Sequence, residues 1–122
     1  MRTVRSAGVT FDGGGSVLSG TLTRCGLVDF AGTIQSAPIF AVIAGSATVD
    51  VKTVAYPSYT GPASTSSIAA AAKPTLSNAI TSQNTTLTGW DTSIAANTMV
   101  CYVLTSPATA HWVTVDLKVL PN

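Results

Sequence analysis

The sequence predicts an all-β protein, built as a single antiparallel β-sandwich or jelly-roll-like domain. Only 9% of the 122 residues are charged and glutamate is absent, whereas Thr, Ser, Val and Gly abound. This composition lacks the charged helix formers and favours strands and turns. About seven or eight short strand-like segments are separated by turn signals, which is typical of sandwiches and jelly rolls. A chain of this length is enough for one core.

The N-terminal segment predicts a strand or an extended arm, joined to the body by a flexible hinge. Residues 1–12 contain a strand-like stretch in which Val9 and Phe11 share one face. The Gly-rich segment 13–16 that follows is not succeeded by a Lys-Ser/Thr pair or a helix, so a phosphate-binding loop is not indicated. We therefore expect one domain over residues 1–122, with an N-terminal arm and a Gly-rich hinge.

Three strands are predicted in the next part of the chain. Residues 20–30 form the first of them. Residues 34–44 are apolar on both faces, which indicates a strand that is central in the body, or half core and half interface. Residues 47–55 alternate, so Val49 and Val51 are expected to face the core.

The middle of the chain predicts loops and short irregular elements. Residues 56–75 are rich in Pro, Gly and Ser, which indicates a loop, with a possible helical turn that ends before Pro74. Residues 75–83 are expected to form another short helix or an irregular connection. A short strand is expected over residues 84–87.

Residues 88–94 predict a turn that follows a buried tryptophan. We expect Trp90 to close one end of the fold and Asp91 to accept hydrogen bonds from nearby backbone amides. Ile94 should return toward the core.

The last two strands are the most clearly patterned. Residues 99–105 are apolar on both faces, with Cys101 on one face and Tyr102 on the other. One face should belong to the core and the other should meet a second layer or a neighbouring subunit. Residues 109–120 alternate strictly, with Trp112 on the outward side. The side chains expected to face inward are Val113, Val115, Leu117 and Val119.

Charge and hydropathy argue against several classes of protein. The net charge is +1 and the arginines are scattered, whereas a nucleic-acid binder needs clustered Lys and Arg. The longest apolar run, residues 37–44, is too short to cross a bilayer, and the N-terminus lacks the apolar region of a signal peptide. We expect a soluble protein made in the cytoplasm, in which Cys25 and Cys101 are reduced core thiols rather than a bridge.

Catalytic chemistry is not indicated. His111 is the only histidine, no G-x-S-x-G motif accompanies it, and it is expected to lie at a strand end. The acidic residues are all aspartates and no two of them are marked as a pair, and no metal-ligand spacing occurs. We therefore expect no enzyme activity, no catalytic residues, no metal and no cofactor.

Several aromatic residues are candidates for binding. Tyr56 and Tyr59 flank a Pro-Ser turn, and Trp112 lies on the outward side of the last strand. Such residues stack on sugars, but they are equally typical of protein interfaces. With so few charges around them, we favour the interface interpretation.

The order of several segments resembles a known group of proteins. The segments VTFDGGGSVL, VDFAGTI, ATVDVKTVAYPSYTG, KPTLSNAITSQNTTLTGWDTSIAANTMVCYVL and VTVDLKV occur in this order between residues 9 and 119. This succession resembles small bacteriophage virion proteins and tail-fibre-associated β-sandwich domains, in which the TTLTGW segment leads to an IAAGD turn. Here Asn97-Thr98 stands in place of Gly-Asp. The resemblance implies a structural or adhesive role in a virion, without cofactors.

Our first hypothesis is a capsid decoration (cement) protein that stabilises the head by binding between capsomers. It would be made in the host cytoplasm, would form a homo-oligomer with a trimer favoured, and would bind the major capsid protein or another virion protein. Neither nucleic acid nor a membrane is expected as a partner. The arm would add to the sheet edge of a neighbour. The expected protein-interface residues are Arg2, Arg5, Val9, Phe11, Tyr102 and Trp112.

The alternative hypothesis is a tail-fibre or baseplate-associated adhesin domain. It would bind host-surface glycan through Tyr56, Tyr59 and Trp112. The copy number of the protein in virions separates this hypothesis from the first.

Overall fold

The computed structural model describes residues 3–14, 16, 18–70, 72–84 and 87–122, and in this part of the chain the fold is all-β and antiparallel, as predicted. Two short 3-10 turns, Tyr56–Ser58 and Pro62–Ser64, follow the third strand. The strands are β1 (Arg5–Asp12), β2 (Leu22–Val28), β3 (Gly32–Ala55), β4 (Ser66–Ser67), β5 (Thr75–Asn84), β6 (Ser93–Ile94), β7 (Thr98–Ala108) and β8 (Trp112–Pro121).

The long strand β3 organises the sheet, whose order is β1-β8-β3-β7-β2. The N-terminal half of β3 pairs with β8, and its C-terminal half pairs with β7. Both β7 and β8 run antiparallel to β3, and each pairs with a different half of it. The strand β5 also pairs with both halves of β3. The predicted strands 34–44 and 47–55 are therefore two halves of one bent strand.

A bend in the middle of β3 folds the two halves of the sheet toward each other. A Cβ atom at Gly45 would lie 2.9 Å from the backbone nitrogen of Ala110, so only glycine permits this close approach. Thr109 has a φ of 59°, and its hydroxyl donates to the carbonyl of Ala44 at 3.2 Å. The pairing of β3 with both β5 and β7 also shifts register near this point. Bulges of this kind allow strands to turn a corner.

The bent sheet is nearly closed and barrel-like. All its strands are connected by hydrogen bonds, so the two separate sheets of a sandwich or jelly roll are not clearly distinguished. The core lies between the two halves and is mainly aliphatic. The alternation predicted for the last strand is confirmed, and so is that predicted for residues 47–55. The fully buried side chains on these inner faces include Val49, Val51, Val100, Leu104, Val113, Val115, Leu117 and Val119.

Two predictions for the middle of the chain are wrong. Residues 75–83 belong to β5, which pairs with β3, and they form neither a helix nor an irregular connection. Among the described residues before Pro74 there is a turn rather than a helical segment, since Ala70 has a φ of 51°. The short strand expected over residues 84–87 reduces to the end of β5 at Asn84, and residues 85–86 lie outside the described part.

Trp90 packs against the core. Its side chain is buried, and its Nε1–H donates to the carbonyl of Ala72 at 2.8 Å. The backbone N–H of Ser93 donates to Oδ1 of Asp91 at 3.3 Å, and Ile94 is buried in the core, both as expected. Trp90 thus satisfies its polar atom while it packs on the core.

The prediction of two reduced thiols is wrong, because Cys25 and Cys101 form a disulfide. The two cysteines are directly opposite one another on β2 and β7, with a Cα–Cα distance of 4.1 Å. They are 76 residues apart in sequence, so only the strand order brings them together.

Candidate functional site

The predicted N-terminal arm lies within the chain's own sheet. β1 pairs with β8 over its whole length, and Phe11 is only 1% exposed. Val9 is half-buried against the core, and the guanidinium of Arg5 lies 4.9 Å from the ring centre of Phe30. Arg2 lies outside the described residues. The expectation of an arm that leaves the body is therefore corrected, because the apolar face of residues 5–12 belongs to this core.

Tyr102 is also part of the core rather than a partner-facing residue. It faces inward opposite Val51, and its hydroxyl donates to the carbonyl of Ala7 at 3.1 Å. Burial, with a smaller contribution from the negative charge of Asp116, raises the pKa of Tyr102 above its ordinary value. The residue connects β7 to β1 across the core, which corrects its predicted place in an interface.

The three aromatic residues proposed for glycan binding occupy two different places. Tyr56 begins the 3-10 turn after β3, is 55% exposed, and donates its N–H to the carbonyl of Asn97 at 2.9 Å. Tyr59 follows in the same loop and is half-buried. Trp112 instead lies beside the bend, with its ring centre 5.6 Å from that of Phe40. The structure therefore groups the tyrosines and separates them from the tryptophan.

Large apolar side chains lie around the bend, and we call Phe40, Ile43, Ile80 and Trp112 the bend patch. Phe40 and Ile80 line one cavity, the rings of Phe40 and Trp112 are in contact, and Ile43 lies three residues further along β3. Ile43 and Ile80 are 50% and 52% exposed, among the largest exposures of large apolar side chains in the described chain. The pairing is irregular here: on the β5 side, the register shifts between Phe40 and Gly45, so that four residues of β3 face Ile80.

An open cavity of about 410 Å³ adjoins the bend patch. Its lining contains no charged side chain, so the surface can bind an apolar partner without burying a charge. The lining residues are Pro38, Ile39, Phe40, Ala41, Ile80, Thr81 and Ser82. The sequence signal for this surface was the apolar pattern on both faces of residues 34–44. Ile80 was missed because its segment was not recognised as a strand.

Few side chains of the chain could bind a metal ion: one histidine, two cysteines and five aspartates. Over the described residues, no group of three His, Cys, Asp or Glu side chains is placed to hold a metal ion. His111 is half-buried, and its backbone carbonyl accepts a hydrogen bond from Gly13 N–H at 3.0 Å. In the same part of the chain, no helix has the length and apolar character needed to cross a membrane.

Neither a family model nor a curated protein matches the chain. Its class is therefore defined by fold and surface: an all-β antiparallel domain, nearly closed, with an uncharged apolar patch at the bend of its longest strand.

Proposed function

We propose that the chain is a bacteriophage structural protein, a capsid decoration protein that binds between capsomers and stabilises the head. The bend patch is the observation that carries this proposal. Exposed apolar surface without nearby charge is typical of sites that a protein partner covers. The partner is the major capsid protein or another virion protein, and the proposed oligomer is a trimer.

Two further features support a virion protein. The segment order resembles small virion proteins, and only 9% of residues are charged, which leaves a surface suited to coverage by neighbours. The proposal includes the finer fold expected from that resemblance, a β-sandwich or jelly roll in which the two halves of the bent sheet act as layers. Asn97 stands where those proteins have glycine, and its φ of 59° is one that glycine or asparagine adopts readily.

The disulfide is compatible with this location. Disulfides persist outside the reducing cytoplasm, where a released virion functions. We propose that synthesis in the host cytoplasm leaves Cys25 and Cys101 as thiols, and that the bond in the structure forms on release. Thiol labelling of the protein before and after lysis tests this order of events.

Copy number and one pair of variants test the proposed function. We expect hundreds of copies per purified virion by quantitative mass spectrometry, whereas a handful would place the protein at the tail tip and overturn the proposal. Ile80→Lys should weaken binding to heads that lack the protein by roughly tenfold or more, because it places a charge in the contact. Val4→Lys is the matched control, since Val4 is 47% exposed and outside the bend patch.

A glycan-binding adhesin domain remains the second candidate, and the exposed ring of Tyr56 beside Tyr59 favours it. Binding on a glycan array that is lost in Tyr56→Ala and Tyr59→Ala, and retained in Ile80→Lys, would support it. Because Trp112 lies elsewhere, Trp112→Ala should not affect such binding.

A further inference from the structure

The strand β5 has an outer edge that no other strand covers. It pairs with β3 alone, and among the described residues no other strand runs alongside it. Edge strands usually avoid association through charged side chains, proline or bulges. β5 contains no charged residue and no proline, and its irregular residue, Asn78 with a φ of 49°, precedes the regularly paired part, residues 81–84. This part of the edge therefore has none of the usual protection.

Pro38 shows which backbone groups of β5 turn outward. It lies opposite Gln83 in the register, and proline has no N–H to exchange in a hydrogen-bonded pair. Pro38 and Gln83 are therefore a non-hydrogen-bonded pair, and the bonds from β5 to β3 come from Ser82 and Asn84. The pairing of β3 with β8 agrees with this orientation, because its register skips Ala37 and Pro38, as expected if the missing N–H is on that side.

The backbone N–H and C=O groups of Thr81 and Gln83 consequently point away from β3. Residues alternate along a strand, so these two turn outward where Ser82 and Asn84 turn to β3. Thr81 is exposed, and among the described residues none donates to or accepts from its outward groups. Donors and acceptors spaced two residues apart fit one kind of partner, another extended strand.

We propose that an extended segment of the virion partner adds a strand to the sheet at the outer edge of β5. Thr81 and Gln83 each exchange their N–H and C=O groups with the backbone of this segment. The inference rests on the proposed function and names the way in which the partner is recognised.

The cavity beside the bend lies at the same edge and defines the side chains of the segment. Its lining comes from β3 and β5 alone and includes Ile80, Thr81 and Ser82. No charged side chain lines it, and Ile80 is an exposed apolar part of its wall. The segment therefore carries an uncharged, apolar side chain into the cavity, since a charged one would lose its hydration there. A helix would not suit this edge, because its backbone groups are bonded internally except at its ends.

A second copy of the chain fits this edge less well than such a segment. If β5 paired antiparallel with β5 of a second copy through Thr81 and Gln83, Ser82 would lie opposite Ser82 and Asn84 opposite Ile80. This register brings polar residues, and no apolar side chain, opposite the residues that line the cavity.

A proline variant tests the backbone contact. Thr81→Pro should weaken binding to heads that lack the protein by roughly tenfold or more, because the lost N–H faces the added strand and not β3. Thr81→Val is the matched control, since it keeps the N–H and should bind as the wild type does. Urea denaturation checks that both variants are folded. Equal binding by the two variants would overturn the proposal.

Hydrogen exchange of the wild-type protein tests the same contact without a substitution. In the free protein, NMR should show faster exchange for the amides of Thr81 and Gln83 than for that of Ser82, which is bonded to β3. On heads, mass spectrometry should show that residues 80–84 gain protection of about two amides. Unchanged exchange of these residues on heads that bind the protein would contradict strand addition.

The outcomes distinguish this inference from the proposed function. A wild-type protein that does not bind heads contradicts the decoration role itself. Binding that is weakened by Ile80→Lys but not by Thr81→Pro agrees with that role and overturns strand addition. A concentration-dependent dimer in analytical ultracentrifugation that Thr81→Pro abolishes would identify a second copy at this edge, and would also overturn the proposal.

Discussion

The strands at the two ends of the sheet, β1 and β2, are nearly equal in length but are held in different ways. β1 has eight residues and pairs with β8; β2 has seven and pairs with β7. β1 inserts Phe11 into the core, whereas β2 buries only Val28. The disulfide Cys25–Cys101 instead links β2 to its neighbour.

Hydrogen bonds of its side chains and backbone hold β1 to the rest of the fold in addition to burial. The hydroxyls of Thr10 and Thr114 lie 2.8 Å apart, and Nζ of Lys118 donates to Oγ of Ser6 at 2.8 Å. The Ala7 carbonyl accepts the hydroxyl of Tyr102. An edge strand can thus be held mainly by burial or mainly by a covalent bond.

The largest expected effect comes from removing the anchor of β1. Phe11→Ala should lower the free energy of unfolding by about 3–5 kcal/mol, because it removes a buried ring and leaves a cavity. Urea denaturation measures this change. Thr10→Ala, on the outer face of the same strand, should cost only about 0.2–1 kcal/mol. A nearly neutral Phe11→Ala would restore the free arm that the sequence predicted.

The next effect comes from removing the covalent link of β2. The double variant Cys25→Ala/Cys101→Ala should lose roughly 2–4 kcal/mol, since the bond closes a long loop in the unfolded chain. In addition, amide hydrogen exchange should accelerate more in β2 than in β1, because burial contributes little to holding β2. Equal acceleration in both strands would show that the disulfide acts on the whole fold and not on this edge.

The same contrast explains what the sequence could predict. Between residues 113 and 119 every second side chain enters the core, so the alternation is visible; the strand was predicted over 109–120 and is observed over Trp112–Pro121. In β5 only Leu76 among the described side chains is buried, and Asn78 has a φ of 49°, so a strand held by backbone pairing leaves no periodic signal. The disulfide was missed for a related reason: β2 and β7 become neighbours only through the strand order.

The candidate site was predictable in part. The apolar pattern on both faces of residues 34–44 indicated a strand with an additional surface, which the exposed Ile43 illustrates. The exposure of Ile80 was not predictable, because it depends on the irregular pairing of β3 and β5 at the bend. That irregularity lies next to Gly45, which approaches Ala110 closely in the folded chain. Tyr102 was predicted in an interface but lies in the core. Both faces of its strand are apolar, so the sequence does not reveal which face is internal.

A smaller effect is expected from the hydrogen bond between the Tyr102 hydroxyl on β7 and the Ala7 carbonyl on β1. Tyr102→Phe removes the donor to the Ala7 carbonyl and should cost about 1 kcal/mol at neutral pH, measured by urea denaturation. The cost is modest because the ring remains in place. A loss as large as that of Phe11→Ala would mean that the hydroxyl, and not the buried ring, holds β1.

The pH dependence of this variant sharpens the same point. Burial raises the pKa of Tyr102, so above pH ~10 the unfolded chain loses this proton while the folded chain keeps it. The contribution of Tyr102 to stability is therefore complete below that pH and declines as the pH rises toward the raised pKa. Wild-type stability should fall by up to about 1.4 kcal/mol per pH unit in this range beyond that of Tyr102→Phe. Identical pH profiles for the two proteins would indicate that Tyr102 ionises in contact with solvent, and would contradict its place in the core.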